Sequence, residues 1–383
     1  MPEKLRVGII GLGWGLSVHL PALRSIPEFE VVALCSRTRE KVEEAALENN
    51  IPCIYTDFQE MIEAKDIDII SIATPVQSHY PIALAAVRQG KHVICEKPLT
   101  LNETESRNLY LAAKESGVSH VVCHEMRWIP ERLALKDLIV KEDYLGEPYF
   151  IQLSDTVPFW HPSKPTQHEW LYKENMGGGY LLALVSHDID FLHSLFGDIV
   201  AVNAQVVTSI KKRTKPNGEE FEQDADDTSI LNLRFKNGAV GVLSSSSMAL
   251  HAPRLRLEAY GSKGSIIYTM DNHWNSRIEI GNVEDSGLHQ LEPSIRQPQN
   301  PITLTAKFDA DFARMQGGFD RIKATNEKAV RAMTLLCEDF LESIRNQTPI
   351  HPSFLDGMKI QQIIEAAKES EKTGQWIEIS SSI

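Results

Sequence analysis

VGIIGLGWGLSVHLPAL, residues 7–23, passes from an apolar run through three closely spaced glycines into a helical pattern. A run of this kind ending in Gly11-Leu12-Gly13-Trp14-Gly15-Leu16 reads as a buried strand that turns sharply into a helix. Glycine at 11 and 13 allows the tight turn and lets a pyrophosphate approach backbone N–H groups at the helix amino terminus, where the peptide dipoles favour negative charge. The third position of the dinucleotide fingerprint, five after Gly11, is Leu16 instead of Gly or Ala, and Gly15 comes one place early. The spacing predicts a helix slightly further from its strand than in the ideal motif.

Outward from this turn, short apolar runs alternate with helical segments: LRVGII (5–10), EVVALC (30–35), IDIISIA (67–73), HVIC (92–95) and SHVVC (119–123), with REKVEEAALENN (39–50) and PIALAAVRQG (81–90) among the segments between them. Continuous apolar strands separated by helices imply a parallel sheet covered on both faces, so the fold class is α/β with an N-terminal doubly wound Rossmann sheet, assigned to residues 1–125. Beyond PERLALKDLIVKEDYLG (130–146) the strands lengthen and take period two, as in TSILNLRFKNGAVGVLSSS (228–246), where Asn237-Gly238 predicts a type I′ hairpin turn. Residues 126–383 are therefore expected to form an α/β domain with a large, mostly antiparallel open sheet, helical again at 327–346 and 355–374.

The 383 residues carry 39 Lys and Arg against 52 Asp and Glu, a formal charge of -13, with no basic block, which makes nucleic acid and anionic membrane surfaces poor partners. Five cysteines without a C-x-x-C pair read as buried thiols of a reducing compartment. The amino terminus enters a strand at once and no apolar stretch reaches membrane-spanning length, so a cytoplasmic location is expected. His187 and His193, six apart, lack zinc spacing, and no G-x-S-x-G elbow occurs; no metal is expected.

CSRTREK (35–41) closes the second strand. An NAD site usually places a carboxylate there for the ribose hydroxyls, whereas this chain offers Ser36, Arg37 and Thr38, with Lys41 following. A missing acid beside an arginine suits a 2′-phosphate, so NADP is expected ahead of NAD; the plainer reading is basic residues decorating a helix start. VICEKPLT (93–100) sets Glu96, Lys97 and Pro98 at the carboxyl end of another strand, the edge where open α/β sheets bind ligands.

Three further strings complete the pattern: IATPVQSHYPIALAAVRQGKHVICEKPLT (72–100), HEMRWIPE (124–131) and GGGYLLALVSHDIDFLHSLFG (177–197). With GIIGLG (8–13) before them and FLESIRNQTPI (340–350) and DGMKIQQIIEAAKESEKTGQWIEI (356–379) after, the chain resembles the glucose-fructose oxidoreductase / inositol dehydrogenase / MocA family over nearly its whole length. The resemblance implies a nicotinamide between two domains near Lys97, contacts from Thr74, Pro75 and His79 along the dinucleotide, and oxidation of a secondary alcohol of a sugar, cyclitol or related polyol, or reduction of the matching ketone. It also implies a homodimer or homotetramer through the C-terminal sheet. The family's usual Asp, four residues before the His after the glycine turn, is Ala183 here, and Val185 replaces a glycine.

Hydride transfer from a carbinol carbon requires loss of the hydroxyl proton, so a base must touch that oxygen. His187 suits the role, against the bland alternative of a packed histidine; Asp190, three residues later, is read first as an ordinary helix-surface acid and second as a group that orients the ring. Lys97 is the second candidate, since a site beside a cationic pyridinium disfavours another positive charge. Ser78 is read as the cap of the following helix. Arg127 and His124 are expected to face the interdomain cleft, Arg127 toward the cofactor and His124 toward substrate, with Trp170 adding an aromatic face; Trp160, His161 and Lys173 belong to the same polar-aromatic loop. Two other activities suit this fold: an NAD-dependent glycosidase that oxidises a ring hydroxyl transiently, and a non-catalytic dinucleotide-dependent regulator.

Overall fold

The computed structural model describes residues 4–163, 168–272, 274–304 and 319–380, with side chains in the last segment described from residue 327. The chain divides into two compact units.

The first unit carries six parallel strands, β1 (Leu5–Ile10), β2 (Phe29–Cys35), β3 (Cys53–Tyr55), β4 (Ile69–Ile72), β5 (His92–Cys95) and β6 (His120–Val122), in the order β3-β2-β1-β4-β5-β6. This is a doubly wound sheet, and its order reverses between β1 and β4, the crevice where such sheets take ligands. Helices α1 (Leu20–Arg24), α2 (Arg39–Asn49), α3 (Phe58–Glu63), α4 (His79–Arg88) and α5 (Glu103–Ser116) join the strands. β4 is buried along its whole length, as a central parallel strand covered on both faces must be. The short β3 was not anticipated, because Cys53-Ile54-Tyr55 is too brief to show a period.

The sequence grouped all of residues 126–383 together, yet Asn326–Gln361 clusters with the first unit. The reason lies in side chains that need buried partners: Trp128 Nε1 donates to Asp339 Oδ2 at 2.8 Å, and Arg127 lies 3.7 Å from Asp356. The backbone N–H of Val122 donates to Pro352 O, and Phe354 packs in the same core as β4 and β5.

The second unit begins with α6 (Pro130–Lys136) and holds a nine-stranded sheet. Its strands are β7 (Pro148–Thr156), β8 (Ile199–Val207), β11 (Thr228–Phe235), β12 (Val240–Ser246), β13 (Leu255–Gly261), β14 (Gly264–Met270), β15 (Ser276–Asn282), β16 (His289–Leu291) and β17 (Ile377–Glu378), while β9 (Lys212–Thr214) and β10 (Glu220–Glu222) form a separate ribbon. Neighbours run antiparallel except β7 and β12. The β11–β12 hairpin departs from the expected type I′ turn: Gly238 takes φ +93° but Asn237 stays out of the left-handed region. The Phe235 N–H donates to Ala239 O and the Gly238 N–H to Phe235 O, so the loop is one residue longer than a type I′ turn and only its glycine needs positive φ.

Helix α7 (Ser186–Phe196) follows a single π-turn at Leu181–Val185 and packs on the sheet through Phe191 against Tyr268. Asp226 fixes where this segment begins, because its carboxylate accepts the Leu181 N–H at 2.7 Å and its carbonyl accepts that of Tyr180. Gly179 has φ +112°, and a Cβ there would press into the Asp226 carboxylate. Burial pushes the Asp226 carboxyl up to about 6, in spite of the Leu181 hydrogen bond and the Lys368 charge. A raised acid contributes stability below its unfolded value near 3.8 and loses it as pH rises through about 6. Asp226→Asn keeps the acceptor without the charge. It should therefore be more stable than wild type at pH 8, by up to about 3 kcal/mol, and match it at pH 3; melts showing the same difference at both pH values would contradict this.

Candidate active site

In the first unit the glycine turn is shaped by two close approaches. Gly11 has φ +104° and a Cβ there would run into the Ala73 carbonyl beyond β4. A Cβ on Gly15 would sit 2.9 Å from Ile9 Cγ2 of β1. Gly15 is thus the residue that lets the helix close on the strand, and the expected wider spacing is corrected. A π-turn over Gly15–His19, closed by the Leu20 N–H on Gly15 O, adds a residue to the first turn and allows the early glycine to serve for the fifth position. Gly13 faces open space, with no atom within 4 Å of where its Cβ would stand, and Trp14 and Leu16 are half-buried beside it.

At the end of β2, Ser36 is half-buried and its N–H donates to Tyr55 O, while Arg37, Thr38 and Lys41 are exposed. Among the described residues neither Arg37 nor Lys41 is held in an ion pair. Beyond β4, the Thr74 hydroxyl is buried without a hydrogen-bond partner, next to an exposed Pro75. An open cradle over Gly13, an orphaned hydroxyl at Thr74 and a free guanidinium at Arg37 fit the pyrophosphate and ribose portions of a dinucleotide.

Glu96 ends β5 as a buried carboxylate. His19 Nε2 lies 3.0 Å from Glu96 Oε1 and His19 Nδ1 lies 2.7 Å from Ser71 Oγ, while Glu96 Oε2 accepts the Lys97 N–H at 3.2 Å. Burial raises the Glu96 carboxyl, but the His19 hydrogen bond and the charges of His19, Lys97 and His79 outweigh it and hold the group below its ordinary range. His79 braces the other side of the turn: Nδ1 is 2.8 Å from Pro98 O and Nε2 is 2.8 Å from Thr74 O. Burial lowers the His79 imidazole although both carbonyls favour its protonated form. Ser78, expected as a helix cap, instead donates its hydroxyl to Pro75 O.

His19, Glu96 and Cys123 also bring a His nitrogen, a carboxylate oxygen and a thiol within 4.8 Å of one another. Sequence spacing hid this group because its members come from three different βα units. Burial pushes the Cys123 thiol well up, and the His19–Glu96 hydrogen bond engages the other two members.

His124 and Arg127 are buried in the first unit, with Arg127 paired to Asp356. Burial raises the Asp356 carboxyl, but the His351 hydrogen bond, the Arg127 charge and the Ser353 hydroxyl pull it far below its usual range. In the second unit His187 is buried in the first turn of α7, Asp190 is buried one turn on, and Ala183 lies within the π-turn. Trp170 is half-buried in a short 3₁₀ turn at Glu169–Tyr172. Trp160 is buried against Tyr172 and Tyr180, and His161 Nδ1 bonds Ser163 Oγ. Sequence reading missed His19, Ser71 and Asp226, whose partners are 45 or more residues away.

Two family models match the chain: an oxidoreductase family NAD-binding Rossmann fold over residues 5–124 and the same family's C-terminal alpha/beta domain over 137–379. Levoglucosan dehydrogenase from Pseudarthrobacter phenanthrenivorans is 26% identical, aligned over 98% of each chain. A scyllo-inositol 2-dehydrogenase (NADP(+)) from Bacillus subtilis is 25% identical over 97% of this chain and 94% of its own. The solved structure of levoglucosan dehydrogenase in complex with NADH and L-sorbose superposes with a TM-score of 0.83 at 26% identity, covering 98% of this chain and 99% of that one.

The two glycines of the turn should separate folding from binding. Gly13→Ala adds a methyl to open space, so its melting temperature should stay near wild type while dinucleotide affinity falls about tenfold or more; Gly11→Ala should lose both. Calorimetric titration with NAD and NADP alongside thermal melts reads the two effects, and undiminished binding by Gly13→Ala would remove the loop from the cofactor site.

Proposed function

The chain belongs to the Gfo/Idh/MocA family of NAD-binding oxidoreductases, and on that premise we propose that it moves a hydride between nicotinamide and a secondary alcohol or ketone of a sugar, cyclitol or related polyol, with NADP preferred to NAD. The observation that carries this reading is the Glu96-Lys97-Pro98 turn, set at the ligand-binding edge of a doubly wound sheet and tied down by His19 and His79. Relatives named for levoglucosan and scyllo-inositol support the substrate class.

In this reading residues 1–125 hold the dinucleotide and residues 126–383 serve the substrate. Bound dinucleotide supplies C4 of the nicotinamide ring as the hydride donor or acceptor. The Lys97 ammonium holds the substrate oxygen, stabilising negative charge as the proton leaves. His187 takes that proton in the oxidation direction and returns it in reduction. With Ala183 unable to relay a proton, Lys97 carries a larger share of the work. His124 and Trp170 are assigned to the substrate; Gly11, Gly13, Trp14, Gly15, Leu16, Ser36, Arg37, Thr38, Lys41, Thr74, Pro75, His79, Glu96 and Arg127 to the cofactor. Exposed Phe150, Ile230 and Val240 on β7, β11 and β12 support a homodimer or homotetramer formed through the C-terminal sheet. No helix among the described residues is long and apolar enough to cross a membrane.

Lys97→Ala should lower kcat by about 10²–10⁴ with dinucleotide still bound, as followed by reduced-nicotinamide absorbance over a panel of sugars and cyclitols. Turnover equal to wild type would remove Lys97 from the chemistry. Turnover of glycosides without net absorbance change would favour the glycosidase alternative, and absence of any turnover the regulator. Arg37→Ala should weaken NADP about tenfold or more and leave NAD nearly unchanged; an unaltered coenzyme preference would overturn the assignment of the β2 loop.

A further inference from the structure

Four buried charged side chains of the second unit form one electrostatic cluster: Arg132 of α6, Asp155 of β7, Asp188 of α7 and Arg254 just before β13. Leu255 pairs with Asp155 across the β13–β7 ladder, and Asp188 follows His187 directly. A set of buried opposite charges ordinarily closes into direct ion pairs, because each ion stripped of water needs a partner. These do not. Among the described residues no hydrogen bond or ion pair joins the four side chains, and Nε of Arg132, Nε of Arg254 and Oδ1 of Asp155 are buried without any partner.

Aromatic rings account for where the arginines stay. The Arg132 guanidinium sits 4.2 Å from the centre of the Phe191 ring, and that of Arg254 lies 5.0 Å from Trp274 and 5.9 Å from Phe159. Stacking of this kind fixes a guanidinium plane and leaves its edge donors for something else. Burial, reinforced by the Asp155 charge, pushes the Asp188 carboxyl well up against the pull of both arginines. Burial raises the Asp155 carboxyl as well, so the charged form of both acids is disfavoured. Two guanidinium Nε–H donors therefore stand without acceptors against a single orphaned carboxylate oxygen.

We propose that Arg132 and Arg254 bind a compact oxyanion carried by the substrate, a carboxylate or a phosphate, and so select acidic sugars over neutral ones. The inference rests on the oxidoreductase reading and narrows its substrate class. A compact oxyanion supplies several charged acceptor oxygens to the two Nε–H groups, which a neutral hydroxyl cannot do.

The test compares neutral sugars with their uronates and 6-phosphates, with NAD and NADP, in wild type, Arg254→Met and Arg254→Lys. Wild type should prefer the acidic member of a pair by about 100-fold or more in kcat/KM, and the uronate and phosphate arms identify which oxyanion is taken. Arg254→Met should cut that ratio at least about tenfold and Arg254→Lys by less, because an ammonium keeps the charge but loses the fork. Should Arg254→Met not fold, the Arg254→Lys ratio decides. Turnover of neutral sugars with no preference for the acidic partner, or an unchanged ratio in the folded variants, overturns the inference and leaves the oxidoreductase reading standing. If no sugar is turned over, the oxidoreductase reading fails separately. Calorimetric titration with D-glucuronate and inorganic phosphate then decides for the cluster: binding that Arg254→Met loses supports it, and no binding by wild type overturns it.

Discussion

A buried carboxylate at the end of β5 sets the terms for the first unit's ligand-binding edge. Glu96 is out of water and still held below its ordinary range, which requires His19 at 3.0 Å and the charges of Lys97 and His79 nearby. Removing one partner of such a buried pair costs about 3–5 kcal/mol, so His19 is as necessary to the turn as the residues within it. Ser71 on β4 fixes the other nitrogen of His19, and the Glu96 carboxylate holds the Lys97 N–H. The position of Lys97 is therefore set through β4, the first helix and β5 together. That makes its backbone a rigid mount for a group that has to meet a reacting oxygen within a fraction of an ångström.

The strands of the first unit were readable because continuous apolar runs bounded by helical patterns have few alternative folds; HVIC became a strand from His92 to Cys95 with no adjustment. The site was readable where a short motif carries its own mechanics, as at Gly11 and Gly13. It was unreadable where contacts link distant residues. His19 lies 77 positions from Glu96, and nothing in the local string SVHL announces a buried partner. The Trp128–Asp339 and Arg127–Asp356 contacts are equally invisible in the string HEMRWIPE, because both partners belong to a distant part of the chain.

Gly15 shows how a motif can fail by pattern and hold by geometry. Counting from Gly11 puts Leu16 at the packing position, yet one extra residue in a π-turn moves the requirement for a missing Cβ to Gly15. Spacing rules assume 3.6 residues per turn, and a wider turn alters which residue faces the strand without altering what the strand demands. The hairpin at Asn237-Gly238 makes the same point, since a longer loop relieves Asn237 of the positive φ that a two-residue turn would impose.

Two sets of buried charge, one in each unit, are handled in opposite ways. In the first, Glu96 meets His19 and Arg127 meets Asp356, so the cost of dehydration is offset within the fold itself. In the second, Arg132, Arg254 and Asp155 keep buried polar atoms without partners although opposite charges lie within electrostatic reach. A fold selected for stability alone would let those side chains collapse onto one another or replace them with apolar residues of similar volume, because an unpaired buried charge is among the costliest features a protein interior can hold. Phe191 and Trp274 hold the arginines against that collapse, which is why the inferred oxyanion, as an acceptor for both Nε–H groups, accounts for the arrangement better than packing alone.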